Sequence, residues 1–319
     1  MTTRSSDKHE NTRSLDGADG PEYWLNINPA LSITEKPFQV ELTQYSLPEE
    51  EIAQHVLQFK KEGYTKTRPV LQGDDIALLR QGIENIVAAG LPPVFVFVYD
   101  EFWHVYKKLS GVLTPIFGEN YNLTANIWAW YVPPDDVSSG FKPHRDFNNP
   151  DYVMPDGLPG VGTVWIPLAD VTTLNSCMYV LPTDRDPCYP HDVADYNIGY
   201  AEMQGARALP AEAGSVLSWH PLALHWGSHS SVFAREPRIS FATYLSRDAG
   251  GFVDSYRMSP ELDLSLSHRL ALIAQVVLHY KAEPFSYGLI NSDELLEFCQ
   301  AHIDDLPEYQ KQAVRKVIK

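Results

Sequence analysis

A histidine and an aspartate stand two positions apart in the stretch FKPHRDFNNP, as His144 and Asp146. In an extended segment, side chains at positions i and i+2 point to the same side, so both groups can reach one metal ion. The intervening Arg145 must then point the other way. The pair offers one imidazole nitrogen and one carboxylate oxygen, and a third protein ligand has to come from elsewhere in the fold.

Three histidines further along the chain compete for this third position. His220, His225 and His229 all lie in GSVLSWHPLALHWGSHSS, and spacing alone does not choose among them. Two histidines and one carboxylate on one face of an octahedral ion suit ferrous iron and leave the remaining positions open. Open positions are needed where dioxygen binds beside a reductant that also chelates the metal. The pattern therefore predicts a non-haem iron oxygenase.

The His-x-Asp pattern is short, and chance copies are expected in a chain with 11 histidines. His302 and Asp304 form a second copy. That copy lies in a predicted helix, where positions i and i+2 diverge, and no histidine follows it. We interpret it as a solvated helix end. A lone histidine near a strand end is also more often a packed or surface residue than a ligand.

The region from Leu123 onward consists of short, β-rich, aromatic stretches separated by Pro, Gly, Asp and Asn clusters. Several short strands at such intervals, without long helical patterns between them, favour a sandwich or jelly roll over a parallel α/β sheet. We therefore expect a mainly β protein with flanking helices, whose double-stranded β-helix core positions the metal ligands. The predicted strands lie in LTANIWAWYV, GTVWIPL, SCMYVLP, SVLSWH and RISFATYL.

Helical periods precede and follow this β-rich region. Ser46 and Glu49 have the spacing of a capping box, which predicts a helix that ends at Gly63. The other predicted helices run from Asp74 to before Gly90, over 101–117, from about Leu270 to Tyr280, and from about Leu295 to Cys299.

We expect one catalytic domain, because all-β barrels often exceed about 200 residues without dividing. Residues 1–20 are polar and poor in aromatics, which predicts a disordered tail. The domain then covers 21–319, with helices and strands over 21–120, the jelly-roll core over 121–247 and a helical extension over 248–319.

The composition limits the partners of the chain. Its 25 basic and 41 acidic residues give a net charge of -16, which repels the phosphates of nucleic acids and anionic membranes. The three widely spaced cysteines fit neither a disulfide framework nor a thiolate zinc site, and the first residues are not a signal peptide. We therefore expect a cytoplasmic monomer or homodimer that acts on a small molecule.

Four segments read together resemble the phytanoyl-CoA dioxygenase family of 2-oxoglutarate-dependent oxygenases. PHRDF is similar to the family's His-x-Asp strand, and GTVWIPLADVTTLNSCMYVLP is similar to the segment that follows it. GSVLSWHPLALH is similar to the family's HP dipeptide and distal histidine, and EPRISFATY to its arginine strand. The resemblance implies that His225 is the third ligand. It also implies that Fe(II), 2-oxoglutarate and dioxygen meet at His144, Asp146 and His225.

Arg238 and Ser240 stand two apart in a β-rich segment, so a guanidinium and a hydroxyl can face one ligand. Arginine offers a planar, bidentate fork that matches the distal carboxylate of 2-oxoglutarate, the cosubstrate that the resemblance implies. The alternative is a surface arginine that pairs with Glu236. By the same resemblance, Trp165 lies against the cosubstrate and Asn126 lies on the strand before the metal motif.

The resemblance implies oxidation of a bound substrate, with hydroxylation as the default outcome and desaturation or cyclisation as alternatives. Trp128, Trp130, Tyr131 and Phe147 lie near the metal motif, and alternate residues there are expected to face the interior. An aromatic pocket suits a small organic molecule that is amino-acid-derived or a specialised metabolite. Two rival functions remain. One is a cupin-like metal-binding isomerase or hydrolase, which has no use for Arg238, and the other is a non-catalytic binding protein.

Overall fold

Two antiparallel sheets form the centre of the molecule in the computed structural model. The structure describes residues 14–135, 138, 140–191, 198–247, 257–258, 264–280, 293–306, 308 and 311. Its strands are β1 Tyr64–Lys66, β2 Asn122–Val132, β3 Val161–Pro167, β4 Met178–Leu181, β5 Arg207–Leu209, β6 Leu217–Trp219, β7 Leu224–Gly227, β8 Arg238–Ser246 and β9 Arg257–Met258. Its α-helices are α1 Pro21–Ile27, α2 Glu49–Glu62, α3 Gly73–Ala88, α4 Asp100–Lys108, α5 Ser110–Phe117, α6 Tyr200–Met203, α7 Leu266–His279 and α8 Asp293–His302.

The larger sheet has the strand order β1-β6-β3-β8-β2-β9, and the smaller sheet has the order β5-β4-β7. Side chains from both sheets pack together, with Trp165 and Trp219 from the larger sheet against Met178 and Val180 from the smaller one. This arrangement confirms the predicted jelly roll with flanking helices. Each of the five predicted stretches contains a strand. Strands β1, β5, β7 and β9, of two to four residues each, were not predicted.

Strand β8 separates the helical core from the space between the sheets. On one face, Ile239, Phe241 and Leu245 belong to the core that the helices cover. The Phe241 ring lies 5.3 Å from the Phe102 ring of α4, in an edge-to-face contact. The other face of the strand points between the sheets. Three of its side chains line a cavity there: Arg238, Ala242 and Tyr244.

Helix α2 begins at Glu49, directly after Pro48, and no side chain caps it. The Ser46 hydroxyl donates to the carbonyl of the next residue at 3.2 Å, so the predicted capping box is wrong. Three glutamates in the first turn favour this helix start through the helix dipole. The predicted end is confirmed. Gly63 has a φ of 73°, and a Cβ there would lie 2.3 Å from the Thr183 side chain.

The other N-terminal helices agree with the predicted period. Helix α3 ends at Ala88, before Gly90, as predicted. The stretch 101–117 is two helices instead of one, because the backbone leaves the helical conformation at Leu109. The apolar run Pro93–Val98 is a buried 3-10 helix between α3 and α4.

A buried arginine ties helix α7 to the N-terminal half of the domain. Arg269 is fully buried, and its Nη1 lies 2.6 Å from Asp100 Oδ1 at the start of α4. The same guanidinium donates to the carbonyls of Val98 and Leu264 at 2.6 and 2.9 Å. Asp100 also accepts from the Thr34 hydroxyl at 2.7 Å. Helix α7 is therefore an integral part of the core.

The N-terminal segment and α8 also contact each other. Leu15 is buried, and its N–H donates to Glu294 Oε1 at 2.8 Å. Our interpretation of His302 as a solvated helix end is wrong, because it is buried with Nε2 3.0 Å from Asp19 Oδ1. Residues 14–20 of the predicted tail thus pack against the domain, and 1–13 lie outside the described residues, as does most of 248–263. No helix in the described ranges is long and apolar enough to cross a membrane.

Candidate metal centre and active site

Three side chains converge in the cavity between the sheets: His144, Asp146 and His225. The Nε2 atom of each histidine lies 3.5 Å from Asp146 Oδ1. These distances are long for hydrogen bonds. Ligand atoms bound at about 2.1 Å to a common ion are separated by roughly 3.0 to 3.5 Å, so the spacing fits three ligands of one metal.

Backbone pairing brings the candidate metal ligands together. His144 N–H donates to the carbonyl of His225, and His225 N–H donates to the carbonyl of His144, both at 3.0 Å. This isolated bridge joins the loop between β2 and β3 to strand β7 of the smaller sheet. Arg145 points away from the two ligands, as predicted, and forms a buried ion pair with Asp186. Arg145 also donates to the carbonyl of Leu222 at 2.6 Å. These two contacts hold the His144–Asp146 segment in place on the side opposite to His144 and Asp146.

Both histidines present the Nε2 lone pair to the common point. Nδ1 of His144 lies 2.7 Å from the carbonyl oxygen of Lys142, and Nδ1 of His225 lies 3.0 Å from that of Ala223. Because a carbonyl only accepts, Nδ1 carries the proton in each ring. Metal-bound histidines in proteins are oriented in the same way.

The ionisation of the three groups suits a cation. Burial alone would raise the pKa of Asp146, but His225 and His144 hold that pKa well below its usual range. Burial lowers the pKa of His225 to about 4, although Asp146 opposes the shift. Burial also opposes protonation of His144, but the attraction of Asp146 leaves its pKa raised. The site therefore holds a carboxylate beside a deeply buried neutral imidazole.

The cavity is walled mainly by aromatic rings. The side chain of His144 is 26% exposed, against 4% for His225 and 6% for Asp146, so the site opens on the His144 side. The Phe141 ring lies 5.3 Å from the His144 ring and 5.8 Å from the Tyr280 ring. Five further lining residues are aromatic: Trp128, Trp130, Trp165, Trp219 and Tyr244. Of the four aromatic residues proposed near the motif, Tyr131 and Phe147 instead pack against the core.

Arg238 reaches this cavity from the first position of β8. It is 1% exposed, and its Nη1 donates to the carbonyl of Ser176 at 2.7 Å. Its guanidinium carbon lies 5.9 Å from the centre of the Trp130 ring. A Cβ on Gly140 or Gly227 would lie 3.0 or 2.9 Å from Nη1, so both glycines make room for the guanidinium.

The alternative pairing of Arg238 with Glu236 is wrong. Glu236 instead binds Arg80 of α3, with Arg80 Nη1 2.9 Å from Glu236 Oε2. Arg238 is instead buried and lines the metal cavity. The predicted surface ion pair is therefore formed by Glu236 with Arg80 and not with Arg238.

The remaining predicted cosubstrate residues lie at different depths. Trp165, 1% exposed, lines the cavity. Ser240 is fully buried on the same face of β8 as Arg238 and is not among the described residues that line the cavity. Asn126 is half-buried on β2 and is not among the described residues that line the cavity. Cosubstrate contacts by Ser240 and Asn126 stay predictions.

The two competing histidines lie elsewhere. His220 is 2% exposed, its Nδ1 accepts from the N–H of Leu222 at 3.1 Å, and its ring meets the Tyr189 ring edge to face. His229 is exposed and does not line the described cavity. The structure thus brings His225, and neither rival, to the metal pair.

The buried His220 predicts a pH dependence of stability. Burial lowers its pKa to about 4, whereas the unfolded value is about 6.5. Below about pH 6.5 the unfolded chain binds a proton that the folded chain refuses, so the free energy of unfolding falls toward pH 4. The measurement is urea denaturation of the metal-free protein at pH 6.5 and at pH 4.5. Over this interval, the free energy of unfolding of His220→Asn is expected to fall by about 2 kcal/mol less than that of the parent protein. Equal losses in both proteins would contradict this assignment.

Sequence reasoning missed the groups that surround the carboxylate. Asp146 Oδ2 accepts from Thr163 Oγ1 at 2.6 Å and from Trp219 Nε1 at 3.2 Å. Burial and the nearby Asp146 raise the pKa of the Tyr244 phenol, which therefore stays protonated. A signal for two of these residues was present. Thr163 stands two before Trp165 in β3, and Tyr244 continues the alternation that begins at Arg238 in β8.

The sequence model of the phytanoyl-CoA dioxygenase family matches residues 58–235, more than half of the chain. All three converging ligands lie within this match. The chain belongs to the phytanoyl-CoA dioxygenase family. Among curated protein sequences there is no match.

The chain is similar to several solved structures, three of which are given below. The epimerase SnoN from nogalamycin biosynthesis is 16% identical over 61% of this chain and 80% of its own, with a TM-score of 0.47. HygX from Streptomyces hygroscopicus, with nickel and 2-oxoglutarate bound, is 12% identical over 64% and 88%, with a TM-score of 0.46. EctD from S. alaskensis is 15% identical over 66% and 82%, with a TM-score of 0.46.

Membership of the phytanoyl-CoA dioxygenase family makes this chain a non-haem iron enzyme that depends on 2-oxoglutarate. The donor set fits that metal, because two Nε2 lone pairs and one carboxylate converge on one side of a common point. The cavity also fits the cosubstrate. The guanidinium of Arg238, held beside Gly140 and Gly227, offers a buried cation to a carboxylate in the same cavity.

Proposed function

We propose that this chain oxidises a small organic molecule with Fe(II), 2-oxoglutarate and dioxygen, and that hydroxylation is the default reaction. One observation carries the proposal. His144 Nε2, Asp146 Oδ1 and His225 Nε2 meet at one point of a cavity whose wall also holds Arg238. A metal site alone does not require a buried arginine, but a chelating cosubstrate with a second carboxylate does.

Each residue of the site has a separate task. His144, Asp146 and His225 hold the metal, and Arg238 binds the distal carboxylate of 2-oxoglutarate. Trp165 packs against the cosubstrate, and Ser240 and Asn126 complete its surroundings. When bound, iron and 2-oxoglutarate supply the oxidising chemistry, in which 2-oxoglutarate and dioxygen yield succinate, carbon dioxide and one oxygen atom for the substrate. The aromatic wall keeps bulk water from the reacting groups.

The substrate enters over His144, the most exposed of the three ligands. There it meets the Phe141, Tyr280 and Trp128 rings, and Trp128 and Tyr280 are 6.2 Å apart. Such a wall suits a compact substrate with an apolar or flat body, amino-acid-derived or a specialised metabolite. An acyl-CoA is not proposed. Of the three described cations in the wall, Arg145 is paired with Asp186, Arg238 serves the cosubstrate, and Lys142 remains. A single lysine is not the basic cluster that the phosphates of an acyl-CoA would need.

A screen for substrate-stimulated succinate release tests this function. The iron-loaded protein is supplied with 2-oxoglutarate in air and with each of a panel of small aromatic and amino-acid-derived compounds. At least one compound is expected to raise succinate formation above the uncoupled background and to gain mass by one oxygen. Conversion of a compound without succinate would instead favour the isomerase or hydrolase alternative. Tight binding of iron and 2-oxoglutarate with no turnover on any compound would favour a binding protein.

The glycines beside Arg238 should matter for the binding of 2-oxoglutarate. In Gly227→Ala, the new Cβ would lie 2.9 Å from Arg238 Nη1 and 2.8 Å from the Gly140 Cα, so the guanidinium must move. A displaced charged hydrogen bond is expected to raise the Kd of 2-oxoglutarate by roughly tenfold, equivalent to about 1.4 kcal/mol. The Kd is measured by calorimetry on the Co(II)-loaded protein. Gly73→Ala is the control, because a Cβ there meets nothing within 4 Å. An unchanged Kd in Gly227→Ala would contradict the assigned role of Arg238.

A further inference from the structure

The two oxygens of Asp146 have different surroundings. Oδ1 faces both histidines, at 3.5 Å from each Nε2. Oδ2 accepts two hydrogen bonds, from Thr163 Oγ1 at 2.6 Å and from Trp219 Nε1 at 3.2 Å. Both donors are almost fully buried, with exposures of 4% and 3%. Oδ1 thus faces the point where the two histidine Nε2 atoms converge, and Oδ2 faces the larger sheet.

The two donors are held by the larger sheet. Thr163 of β3 and Trp219 of β6 are direct register partners. The Ser218 hydroxyl donates to the Thr163 carbonyl at 2.7 Å and adds a further link between these strands. The Trp219 ring also packs 4.8 Å from the His225 ring. The donors therefore stand on rigid strands, while Asp146 lies on a loop between β2 and β3.

A carboxylate can bind a metal with one oxygen or with both. Both lone-pair directions of Oδ2 are engaged by donors, so this oxygen is turned away from the ion. An octahedral ion with three single-atom protein ligands keeps three positions open, which a two-point chelate and dioxygen together fill. If Asp146 bound through both oxygens, only two positions would remain.

We propose that Thr163 and Trp219 are positioning residues that restrict Asp146 to one-oxygen coordination and thereby keep the position that the 2-oxoglutarate chelate needs. The inference rests on the proposed function, because it concerns the same metal and cosubstrate. Without the two donors, Oδ2 is free to rotate onto the metal. Cosubstrate affinity should then fall more than metal affinity.

The test compares Thr163→Val, Trp219→Phe and the double variant with the parent, using Co(II) as the metal probe. Each protein is titrated with Co(II) and then with 2-oxoglutarate, and the ligand-field absorption spectrum is recorded at each step. The double variant is expected to bind Co(II) with an altered spectrum and to show a Kd for 2-oxoglutarate raised by about 10- to 100-fold. Its Co(II) Kd should change by clearly less than that factor.

Two controls separate positioning from a general effect on the fold. Thr163→Ser keeps the donor and should behave as the parent. Ser218→Ala removes the neighbouring bond between β3 and β6 without touching Asp146, and should also leave spectrum and 2-oxoglutarate affinity unchanged.

The outcomes are distinct for this inference and for the proposed function. A double variant with the parental spectrum and cosubstrate affinity would overturn the positioning role, and so would a complete loss of Co(II) binding. A Thr163→Ser variant as defective as Thr163→Val would also overturn it. A parent protein that binds Co(II) but not 2-oxoglutarate would instead contradict the proposed function itself.

Discussion

His225→Ala is expected to weaken Fe(II) binding by more than about 100-fold and to abolish activity. Loss of a hydrogen-bond partner of a metal ligand already costs about 10- to 100-fold, and here a ligand itself is removed. The His225 side chain is 4% exposed, with Nε2 3.5 Å from Asp146 Oδ1. Among the described residues, no other histidine lies close enough to the pair to replace it. Anaerobic calorimetric titration with Fe(II) measures the effect.

His229→Ala is the matched control for this variant. His229 lies four residues further along the chain and is exposed, so its removal should leave the Fe(II) affinity at the parental value. Parental affinity in His225→Ala, combined with a loss in His229→Ala, would show that a different histidine completes the site. The pair therefore tests the choice that spacing in the sequence left open.

Arg238→Met is expected to raise the Kd of 2-oxoglutarate by about 30-fold or more, because truncating one partner of a buried charge pair costs about 2 to 5 kcal/mol. Fe(II) binding should be retained, since Arg238 contacts none of the three ligands among its described hydrogen bonds. Arg238→Lys should fall between parent and Met variant, because an ammonium keeps the charge but lacks the bidentate fork. Calorimetry on the Co(II)-loaded proteins gives the three values.

Arg247→Met is the control for charge removal. Arg247 follows directly after β8 and pairs with Asp156 at 2.8 Å, so its loss should leave cosubstrate affinity unchanged. If Arg238→Met binds 2-oxoglutarate like the parent, the cosubstrate site lies elsewhere. Such a result would favour the cupin-like isomerase or hydrolase, which needs the metal ligands but not this arginine.

The convergence of His144 and Asp146 was predictable because it depends on local geometry. The i, i+2 spacing of His144 and Asp146 fixes a common side whenever the chain is extended, and the structure keeps that arrangement outside regular strands. The same alternation placed Arg238 on an interior face. Local geometry could not identify His225, because three histidines in the same segment were candidates for the third position. The resemblance to a family selected His225, which is the histidine that the fold places beside His144 and Asp146.

What sequence reasoning missed depends on tertiary pairing. Thr163 and Trp219 meet Asp146 because β3 and β6 pair in one register, and nothing in either strand alone specifies that register. The partner of the buried His302 is Asp19, 283 positions earlier in the chain, so nothing in the sequence indicated that this second His-x-Asp copy is held against the domain. The capping box at Ser46 failed for a local reason. Pro48 occupies the position before the helix, so Ser46 lies two residues too early to cap it.

The most direct test of the account is the visible spectrum of the anaerobic protein with Fe(II) and 2-oxoglutarate. The three ligands leave adjacent positions for a keto acid, so the parent should develop the charge-transfer band of a chelated complex. Glutarate, which lacks the keto oxygen, should give no band, and neither should His225→Ala with 2-oxoglutarate. A parent protein that binds both Fe(II) and 2-oxoglutarate yet stays colourless would contradict the account, as would a band of full intensity in His225→Ala.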